Sequence, residues 1–433
     1  RNGCLGGVAT ASLMANIGNR FLTATGEQVV HGFPAEVVDR LIGAGAASPH
    51  WKTREMPGVV IDSERLKVIL IEMMREAGVT TLTHALGARP IMEGQAVKGV
   101  FVESKSGRQA IPAKAVVDCT GEADLAWQAG AEVRMETSTA SILFKLANVD
   151  LDAFVDFLQE DPDGFPAGMD WVKDLGVFTK NWKERGVLFF PHGGGRKWRA
   201  FQEAADKAGF ARAQGPAMNL DALGMYALRG TGMVVINSNF YRVTDLDARK
   251  LSAFELHAQE MCYRVAELLA KTVKGFEKAV VAHVGVDLGI RASRVITGRS
   301  ELKREALIDA PGPTLCDDVI GMAVVQDTKR ECGEFMKPYT MDMPFGAAVP
   351  KGCDNLLVGS AKSVASRPKA LLRGMSGCMI YGQASGAACA LAARMGKAPA
   401  DVPIREIQKE LVRQGVNLGG LARLKQLGLN PVG

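Results

Sequence analysis

The sequence lacks several patterns that would assign a function directly. Its eight cysteines never form C-x-x-C, which disfavours a zinc ribbon, a thioredoxin-type pair and an iron–sulfur cluster. The six histidines show no paired spacing and no G-x-S-x-G occurs, so a metal site and a Ser-His-Asp hydrolase are unsupported. No apolar run reaches the roughly 18 residues of a membrane span. With no long Lys/Arg run and 6% aromatic residues, nucleic-acid binding also has little support.

The composition is that of a folded protein with a large core. Hydrophobic residues make up 47% and charged residues 23% of the 433 residues, which at about 100–200 residues per domain indicates two or three packed units. The 48 glycines favour tight turns and close backbone approaches. A net charge of +5 gives a modest field for an anionic cofactor or substrate. Most cysteines have apolar neighbours, which predicts buried thiols in a reducing compartment, the cytoplasm.

The first third of the chain is predicted to hold strand–turn–helix units. The spacing of apolar residues predicts a helix over 62–78, capped by Asp62 or Ser63 and ended by Gly78. Strands are predicted in VTTLTHALGARPIME, VKGVFVES, RQAIPA and AVVDCTG. The last of these stops at a glycine and precedes the helix EADLAWQAGA. A buried strand, a glycine turn and a helix form the unit that binds nucleotides at the carboxyl edge of a sheet.

The rest of the chain divides into a long middle segment and a later part in which strand, turn and helix patterns occur again. The middle is predicted to contain a strand pair in TGMVVINSNFYRV, the long helix SAFELHAQEMCYRVAELLAKTV and a strand with a basic rim in VGVDLGIRASRVITGRSEL. Beyond it, NLLVGS reads as an apolar strand ending in glycine, and GMSGCMIYGQASGAACALAARMG as a helix rich in small residues. The predicted fold is α/β, with one βα domain split in sequence by an insertion.

These segments, taken in order, resemble the FAD-dependent oxidoreductases of the glutathione-reductase/succinate-dehydrogenase flavoprotein type. The resemblance runs from RNGCLGGVAT through SKSGRQAIPAKAVVDCTGEADLAWQAGA and INSNFYRVTDLDA to LGIRASRVITGRSEL, AVPKGCDNLLVGSAKS and RGMSGCMIYGQASGAACALAA. It implies a Rossmann-like FAD-binding domain, an inserted α+β substrate domain and a helical C-terminal tail. The implied domains are the first part of the FAD-binding domain (1–139), the inserted domain (140–340), the second part of the FAD-binding domain (341–395) and the tail (396–433).

The resemblance also implies a feature that the printed sequence does not contain. In the family, a strand, a G-x-G-x-x-G turn, a helix and a second strand ending in an acidic residue come before the segment that matches RNGCLGG. No G-x-G-x-x-G occurs here, and HGGGRKW lacks the preceding buried strand. We therefore expect that the sequence is part of a longer chain, with a βαβ unit of about 30 or more residues before it. The alternative is a shortened protein with lost or altered FAD binding.

The resemblance places a set of residues beside FAD. Backbone without a Cβ, a hydroxyl donor and a helix N-terminus are the groups expected at a flavin and its pyrophosphate. Glu122 stands where the family usually has Asp, a mild departure. The cofactor-binding residues implied by the resemblance are Gly6, Gly7, Thr10, Ala85, Leu86, Thr120, Gly121, Gly359, Ser376, Gly377 and Cys378.

The substrate-handling residues are less well defined by the sequence. Arg291 or Arg294 could clamp a carboxylate or donate a proton, although structural ion pairs explain these arginines equally well. His192 in the glycine-rich segment FFPHGGGRKW could belong to a substrate mouth or to a surface turn. Arg291, Arg294 and His192 are the catalytic candidates, and no metal ligand is proposed.

The sequence thus predicts a FAD-dependent dehydrogenase or reductase that transfers hydride between a small organic molecule, anionic or neutral, and the flavin. Two alternatives stay open: a flavoprotein electron-transfer subunit that needs a redox partner protein, and a scaffold that has lost FAD. Neither the substrate nor the oligomeric state, including a homo-oligomer, follows from the sequence.

Overall fold

The protein has a mixed α/β fold, seen in a computed structural model. The residues described are 1–18, 21–23, 26–52, 58–160, 175–190, 199–209, 218–219, 223–238, 240–303, 316–325, 339–367 and 373–429. The candidate His192 and its segment at 191–198 lie outside the described residues.

The described helices range from five to 25 residues. In chain order they are α1 (Phe33–Gly43), α2 (Ser63–Glu76), α3 (Asp124–Gln128), α4 (Leu151–Glu160), α5 (Gly176–Arg185), α6 (Arg199–Lys207), α7 (Ala248–Thr272), α8 (Met375–Met395), α9 (Ile404–Arg413) and α10 (Leu421–Gln426). Among them, none combines the length and the apolar character that crossing a membrane would require.

The described strands are mostly short. They are β1 (Asn16–Gly18), β2 (Gly58–Val60), β3 (Leu86–Glu93), β4 (Ala96–Ser104), β5 (Gly107–Pro112), β6 (Val116–Asp118), β7 (Val133–Met135), β8 (Ser138–Ser141), β9 (Leu143–Ala147), β10 (Val187–Phe190), β11 (Met218–Asn219), β12 (Gly224–Leu228), β13 (Met233–Asn237), β14 (Phe240–Val243), β15 (Val280–Val284), β16 (Gly289–Ile290), β17 (Arg294–Ile296), β18 (Leu302–Lys303), β19 (Val319–Val325), β20 (Tyr339–Pro344), β21 (Leu356–Val358) and β22 (Ser366–Arg367).

The strands form antiparallel sheets and two short parallel pairs. The largest sheet has the order β10-β12-β13-β9-β15, and a second has the order β11-β14-β8-β16. The hairpins β3-β4-β5 form a three-stranded sheet. In one parallel pair, β21 lies beside β6 with Leu356 opposite Val116 and Val358 opposite Asp118. β6 and β21, which are about 240 positions apart in the sequence, therefore end at the same edge of this pair.

Several predicted elements are confirmed. Helix α2 is capped by Asp62, whose Oδ1 accepts a hydrogen bond from Glu64 N, and buries Leu66, Ile69 and Met73. Helices α7 and α8 lie where the small and apolar residues predicted them, and the tail is helical. The sequence segment 79–93 is a strand only from Leu86 onward.

The predicted strand pair in TGMVVINSNFYRV is two strands that do not pair with each other. β13 pairs with β9 and β12, whereas β14 pairs with β8 and β11. The intervening residues therefore carry the chain from one sheet to the other. Local alternation of apolar residues predicts strands but does not select their partners, because pairing depends on long-range packing.

Buried apolar residues form three clusters among the described residues. The first joins β6, β21, α2 and α8 with β19, β20 and the C-terminal helices. The second lies on one face of the five-stranded sheet, under α4, α5 and α7. The third, smaller cluster packs the opposite face of that sheet against Leu13, Ala15 and Val60.

Candidate functional site

A large cavity lies where the predicted cofactor-binding segments meet. Its volume is about 1930 Å³, and residues from the start of the chain, from the ends of β6 and β21 and from α2, α7 and α8 line it. Small-molecule sites usually enclose about 300–1,000 Å³, so this cavity has room for a dinucleotide-sized ligand. The predicted residues that line it are Gly6, Gly7, Leu86, Thr120, Gly121, Gly359 and Cys378.

The turn at the start of the chain presents backbone to this cavity. Gly7 has a φ of +52° and no heavy atom within 4 Å of the position that a Cβ would occupy. Thr10 is 1% exposed, and its Oγ1 lies 2.5 Å from Leu5 O, so the hydroxyl is engaged inside the turn. Thr10 therefore shapes the turn, while Gly6 and Gly7 face the cavity.

A second turn, at the end of β6, is built around the buried carboxylate of Asp118. Asp118 Oδ1 accepts hydrogen bonds from Thr120 N at 2.9 Å and Thr120 Oγ1 at 2.7 Å, and Oδ2 accepts from Ala126 N at 2.9 Å. The side chain thereby joins β6, the turn and the start of α3. This arrangement fixes Thr120 and Gly121 at the cavity wall, in agreement with the bracing role expected of an Asp in a turn.

An ion pair closes this turn from the side of β21. Lys362 Nζ lies 2.6 Å from Glu122 Oε1, and the two side chains are 21% and 15% exposed. Gly121 has a φ of +94°, and a Cβ there would lie 3.1 Å from Lys362 Nζ. Because a side chain at Gly121 would suffer both backbone strain and this contact, the position favours glycine.

The N-terminal end of α8 forms a further part of the cavity wall. Met375, Cys378 and Met379 face the cavity, while Ser376 and Gly377 are buried beneath them. Gly359 approaches α8 closely, since a Cβ on Gly359 would lie 3.6 Å from Gly382 Cα. A helix N-terminus at this wall favours negative charge in the cavity.

The two remaining predicted cofactor residues, Ala85 and Leu86, lie where β3 begins. Leu86, which begins β3, is 51% exposed and lines the cavity. The carbonyl oxygen of Ala85 accepts a hydrogen bond from the backbone nitrogen of Arg1 at 2.7 Å. The structure thus brings the start of the chain and the start of β3 together.

The two candidate arginines have different surroundings. Arg294 donates to Asp124 Oδ1 at 2.8 Å and Glu122 O at 3.1 Å, and its guanidinium lies 4.3 Å from the centre of the Trp127 ring. These contacts tie β17 to α3. Burial raises the pKa of the Tyr226 phenol, and the charge of the half-buried Arg291 opposes part of that rise. Neither arginine is among the residues that line the large cavity.

Sequence reasoning missed several residues at the cavity. Lys362 follows the glycine at the end of β21, but only the parallel pairing of β21 with β6 reveals its contact with Glu122. Glu255 on α7 also lines the cavity, and burial raises its pKa, with the nearby Asp287 carboxylate adding to the rise. No spacing signal distinguishes Glu255 from the other polar residues of α7.

The Cys119 thiol at the cavity is not activated. Desolvation by the surrounding protein raises the pKa of Cys119 to about 12, and the Asp118 charge adds to the rise. A thiol of this kind stays protonated at neutral pH, and nucleophilic cysteines have a lowered pKa instead. Within the described residues, no group of three or more His, Cys, Asp or Glu side chains is arranged to hold a metal ion.

The solved structures that this chain matches are distant in sequence. A geranylgeranyl bacteriochlorophyll reductase-like protein from Thermoplasma acidophilum is 12% identical, with a TM-score of 0.35 over 86% of this chain and 64% of that protein. The p-nitrophenol 4-monooxygenase from Pseudomonas putida is 10% identical, with a TM-score of 0.38 over 86% of this chain and 68% of that enzyme. The myxobacterial chondrochloren halogenase is 12% identical, with a TM-score of 0.40 over 95% of this chain and 77% of that halogenase.

The chain therefore spans 64% of the length of the reductase-like protein. No curated protein sequence matches it. A family model nevertheless covers nearly the whole chain. Because residues 1–411 match the model of the FAD dependent oxidoreductase family, the chain belongs to that family, whose cofactor is FAD.

Proposed function

We propose that this protein uses FAD, held in the large cavity, to transfer hydride between a small organic molecule and the cofactor. The observation that carries the proposal is the meeting of Gly6, Gly7, Thr120, Gly121, Gly359 and Cys378 in the lining of one cavity. These residues come from three separate parts of the chain. In the same proposal, 1–139 and 341–395 form one FAD-binding domain, the segment 140–340 is an inserted substrate domain, and 396–433 is a tail. The parallel pairing of β6 with β21 supports this division.

The residues present fit a flavin dinucleotide. Gly7 offers bare backbone facing open space, which is the feature a close-packed cofactor requires. The cavity is larger than a usual small-molecule site, and the N-terminus of α8 at its wall favours a negatively charged ligand. The residues that would hold FAD are thus Gly6, Gly7, Leu86, Thr120, Gly121, Gly359 and Cys378, with Thr10, Ala85, Ser376 and Gly377 supporting them.

When bound, FAD supplies the group that accepts or releases hydride. The protein positions this group and the substrate. Asp118 fixes the Thr120–Gly121 turn, and the Lys362–Glu122 pair holds that turn against the end of β21. Leu251, Leu256 and Leu288 add apolar side chains to the lining of the same cavity.

The proposal is tested by FAD titration of the protein and of two matched glycine variants. Gly7 and Gly107 both have positive φ, and neither has a heavy atom within 4 Å of its Cβ position, but only Gly7 lines the cavity. We expect Gly7→Ala to weaken FAD binding at least tenfold and Gly107→Ala to leave it unchanged, while the backbone strain lowers stability in both. Failure of the unsubstituted protein to bind FAD would overturn the proposed function. Equal affinities of the two variants would overturn the placement of Gly7.

A further inference from the structure

Part of the lining of the large cavity combines aliphatic side chains with a single carboxylate. It is formed by the first turns of α7, by the segment around β16 and by one residue of the turn at the start of the chain. We call it the α7 patch, and its members are Val8, Leu251, Glu255, Leu256, Leu288 and Ile290. None of the six is among the residues assigned to FAD above.

The members of the α7 patch are joined by direct contacts. Leu251 and Glu255 are four residues apart on α7 and therefore share one face of the helix. The backbone of Leu288 forms a hydrogen bond with Glu255. A Cβ on the next residue, Gly289, would lie 3.4 Å from Val8 Cγ2. The α7 patch thus reaches the glycine turn at which we place FAD, in the same cavity.

The aliphatic members of the patch expose apolar surface to this cavity. Leu256 is 65% exposed and Val8 is 37% exposed, although both are large hydrophobic side chains. Covering such a side chain contributes about 1.5–3 kcal/mol when burial is complete. Exposed apolar surface that lines a cavity is typical of a site that binds an apolar ligand. The patch therefore favours an occupant with an alkyl or aryl part.

Glu255 gives the patch a negative charge that the described residues do not balance. Its carboxylate is half-buried, and Gln259 Nε2 lies 3.4 Å from Oε1. No lysine, arginine or histidine forms an ion pair with it within the part of the chain that the structure describes. Arg1 is paired with Asp287 instead, so these two charges compensate each other. One uncompensated negative charge is left among the aliphatic side chains.

The surroundings of Glu255 make a bound cation favourable. Burial raises the pKa of Glu255, and the Asp287 carboxylate adds to the rise, while the hydrogen bonds from Gln259 and Leu288 oppose it. A carboxylate removed from water is stabilised by an opposite charge close to it. A cationic ligand would supply this charge, whereas an anionic ligand would meet a like charge.

We propose that the α7 patch binds an apolar amine, whose ammonium group pairs with Glu255 and whose alkyl or aryl part packs on Leu251 and Leu256. As the organic molecule of the hydride transfer, this amine rests on the proposed function, but its binding does not. An ammonium group has three hydrogen-bond donors, and the Glu255 oxygens have lone pairs free beyond the contacts with Gln259 and Leu288.

The test uses hexylamine and benzylamine as probes. Their uncharged matches are 1-hexanol and benzyl alcohol, and methylamine is a cation without a large apolar part. Binding is measured by calorimetry near neutral pH at fixed ionic strength, with and without FAD. We expect saturable binding of at least one amine, about tenfold or more tighter than its alcohol and than methylamine, which corresponds to about 1.4 kcal/mol. Failure of both amines to bind in either state, or equal affinity for amine and alcohol, would overturn the inference.

FAD titration of the same samples tests the proposed function separately. A protein that fails to bind FAD can still bind an amine at the α7 patch, so the two failures are distinguishable. We expect the affinity for FAD to be the same with and without saturating hexylamine. If hexylamine competed with FAD, the patch would belong to the cofactor site and the inference would be overturned.

Substitution of Glu255 tests the charge. Glu255→Gln keeps the size of the side chain, and we expect it to weaken amine binding about tenfold or more and to leave alcohol binding unchanged. Its melting temperature should stay equal or rise, because an uncompensated half-buried charge is removed. The control is Glu267→Gln, since Glu267 is exposed on the same helix and does not line the cavity. Unchanged amine affinity in Glu255→Gln would overturn the role of Glu255.

A second pair of variants tests the apolar contact. Leu256 and Leu421 are both 65% exposed, but only Leu256 lines the cavity. Leu256→Gln should weaken hexylamine binding about threefold or more and leave methylamine unaffected, because only hexylamine covers this side chain. Leu421→Gln should bind hexylamine as the unsubstituted protein does. Since both side chains are mostly exposed, both variants should stay folded, and equal hexylamine affinities would contradict the apolar role of the patch.

Discussion

Lys362 Nζ lies 2.6 Å from Glu122 Oε1, so one ion pair joins the ends of two parallel strands that are far apart in sequence. Lys362→Met should leave the mostly buried Glu122 carboxylate without its cation. Because both side chains keep some exposure, we expect a loss of roughly 1–3 kcal/mol in the free energy of unfolding, below the value for a fully buried pair. Urea titration measures this loss.

The control for this prediction is the double variant Lys362→Met/Glu122→Gln. Removing both charges removes the uncompensated carboxylate, so the double variant should be more stable than Lys362→Met alone. If the effects of Lys362→Met and Glu122→Gln on the free energy of unfolding simply added in the double variant, the ion pair would contribute nothing to stability.

Asp118 is expected to be the side chain on which the cavity turn depends most. Its carboxylate accepts three hydrogen bonds while being 0% exposed. Asp118→Asn replaces one accepting oxygen with an NH₂ group that cannot accept, which should cost about 2–3 kcal/mol in the free energy of unfolding. FAD affinity should fall in parallel, because Thr120 and Gly121 lose their support. A variant with unchanged stability would contradict the bracing role.

His283 predicts a dependence of stability on pH. It stands opposite Lys145 in the sheet, and burial lowers its pKa below the usual 6.5, with the Lys145 and Lys67 charges adding to the effect and the Glu64 charge opposing it. Because the unfolded chain binds this proton more tightly, the stabilising contribution is present above pH 6.5. It is lost as the pH falls from 6.5 through the lower pKa of the folded protein.

The measurement is urea unfolding of the protein and of His283→Gln between pH 5 and pH 8. The variant should show a smaller loss of stability toward acid pH than the unsubstituted protein. Replacement of the exposed His50 by Gln is the matched control and should leave the slope unchanged. An identical slope in His283→Gln would contradict the prediction.

Arg294 and Trp127 should couple in stability. The guanidinium lies 4.3 Å from the ring centre and also bonds Asp124, and the arginine side chain is 12% exposed. A double-mutant cycle of Arg294→Met and Trp127→Leu should give a coupling of about 0.5–2 kcal/mol, as expected of a partly desolvated cation–π contact. Lys in place of Arg294 should restore only part of it, because an ammonium cannot stack as a planar guanidinium does. Additive effects would show that the stacking carries no energy.

Much of the local structure could be predicted because it depends on neighbours in the sequence. The cap at Asp62, the apolar face of α2 and the glycine turn after β6 are set by residues within a few positions of one another. The glycines of the cofactor wall were likewise visible as turn and close-approach positions. Their family pattern, rather than spacing alone, indicated FAD.

What the sequence by itself determined is therefore the set of elements and the class of cofactor. The tertiary structure decided which residues meet: Lys362 with Glu122, Arg294 with Trp127, and Asn237 with Tyr226 on one face of a sheet. Strand alternation could assign Asn237 to a face only once the partners of β13 were known, because β9 and β12 lie on either side of it. Secondary-structure propensity depends on each residue and its near neighbours in the sequence. These contacts depend instead on the burial of apolar surface between segments that are distant in the chain.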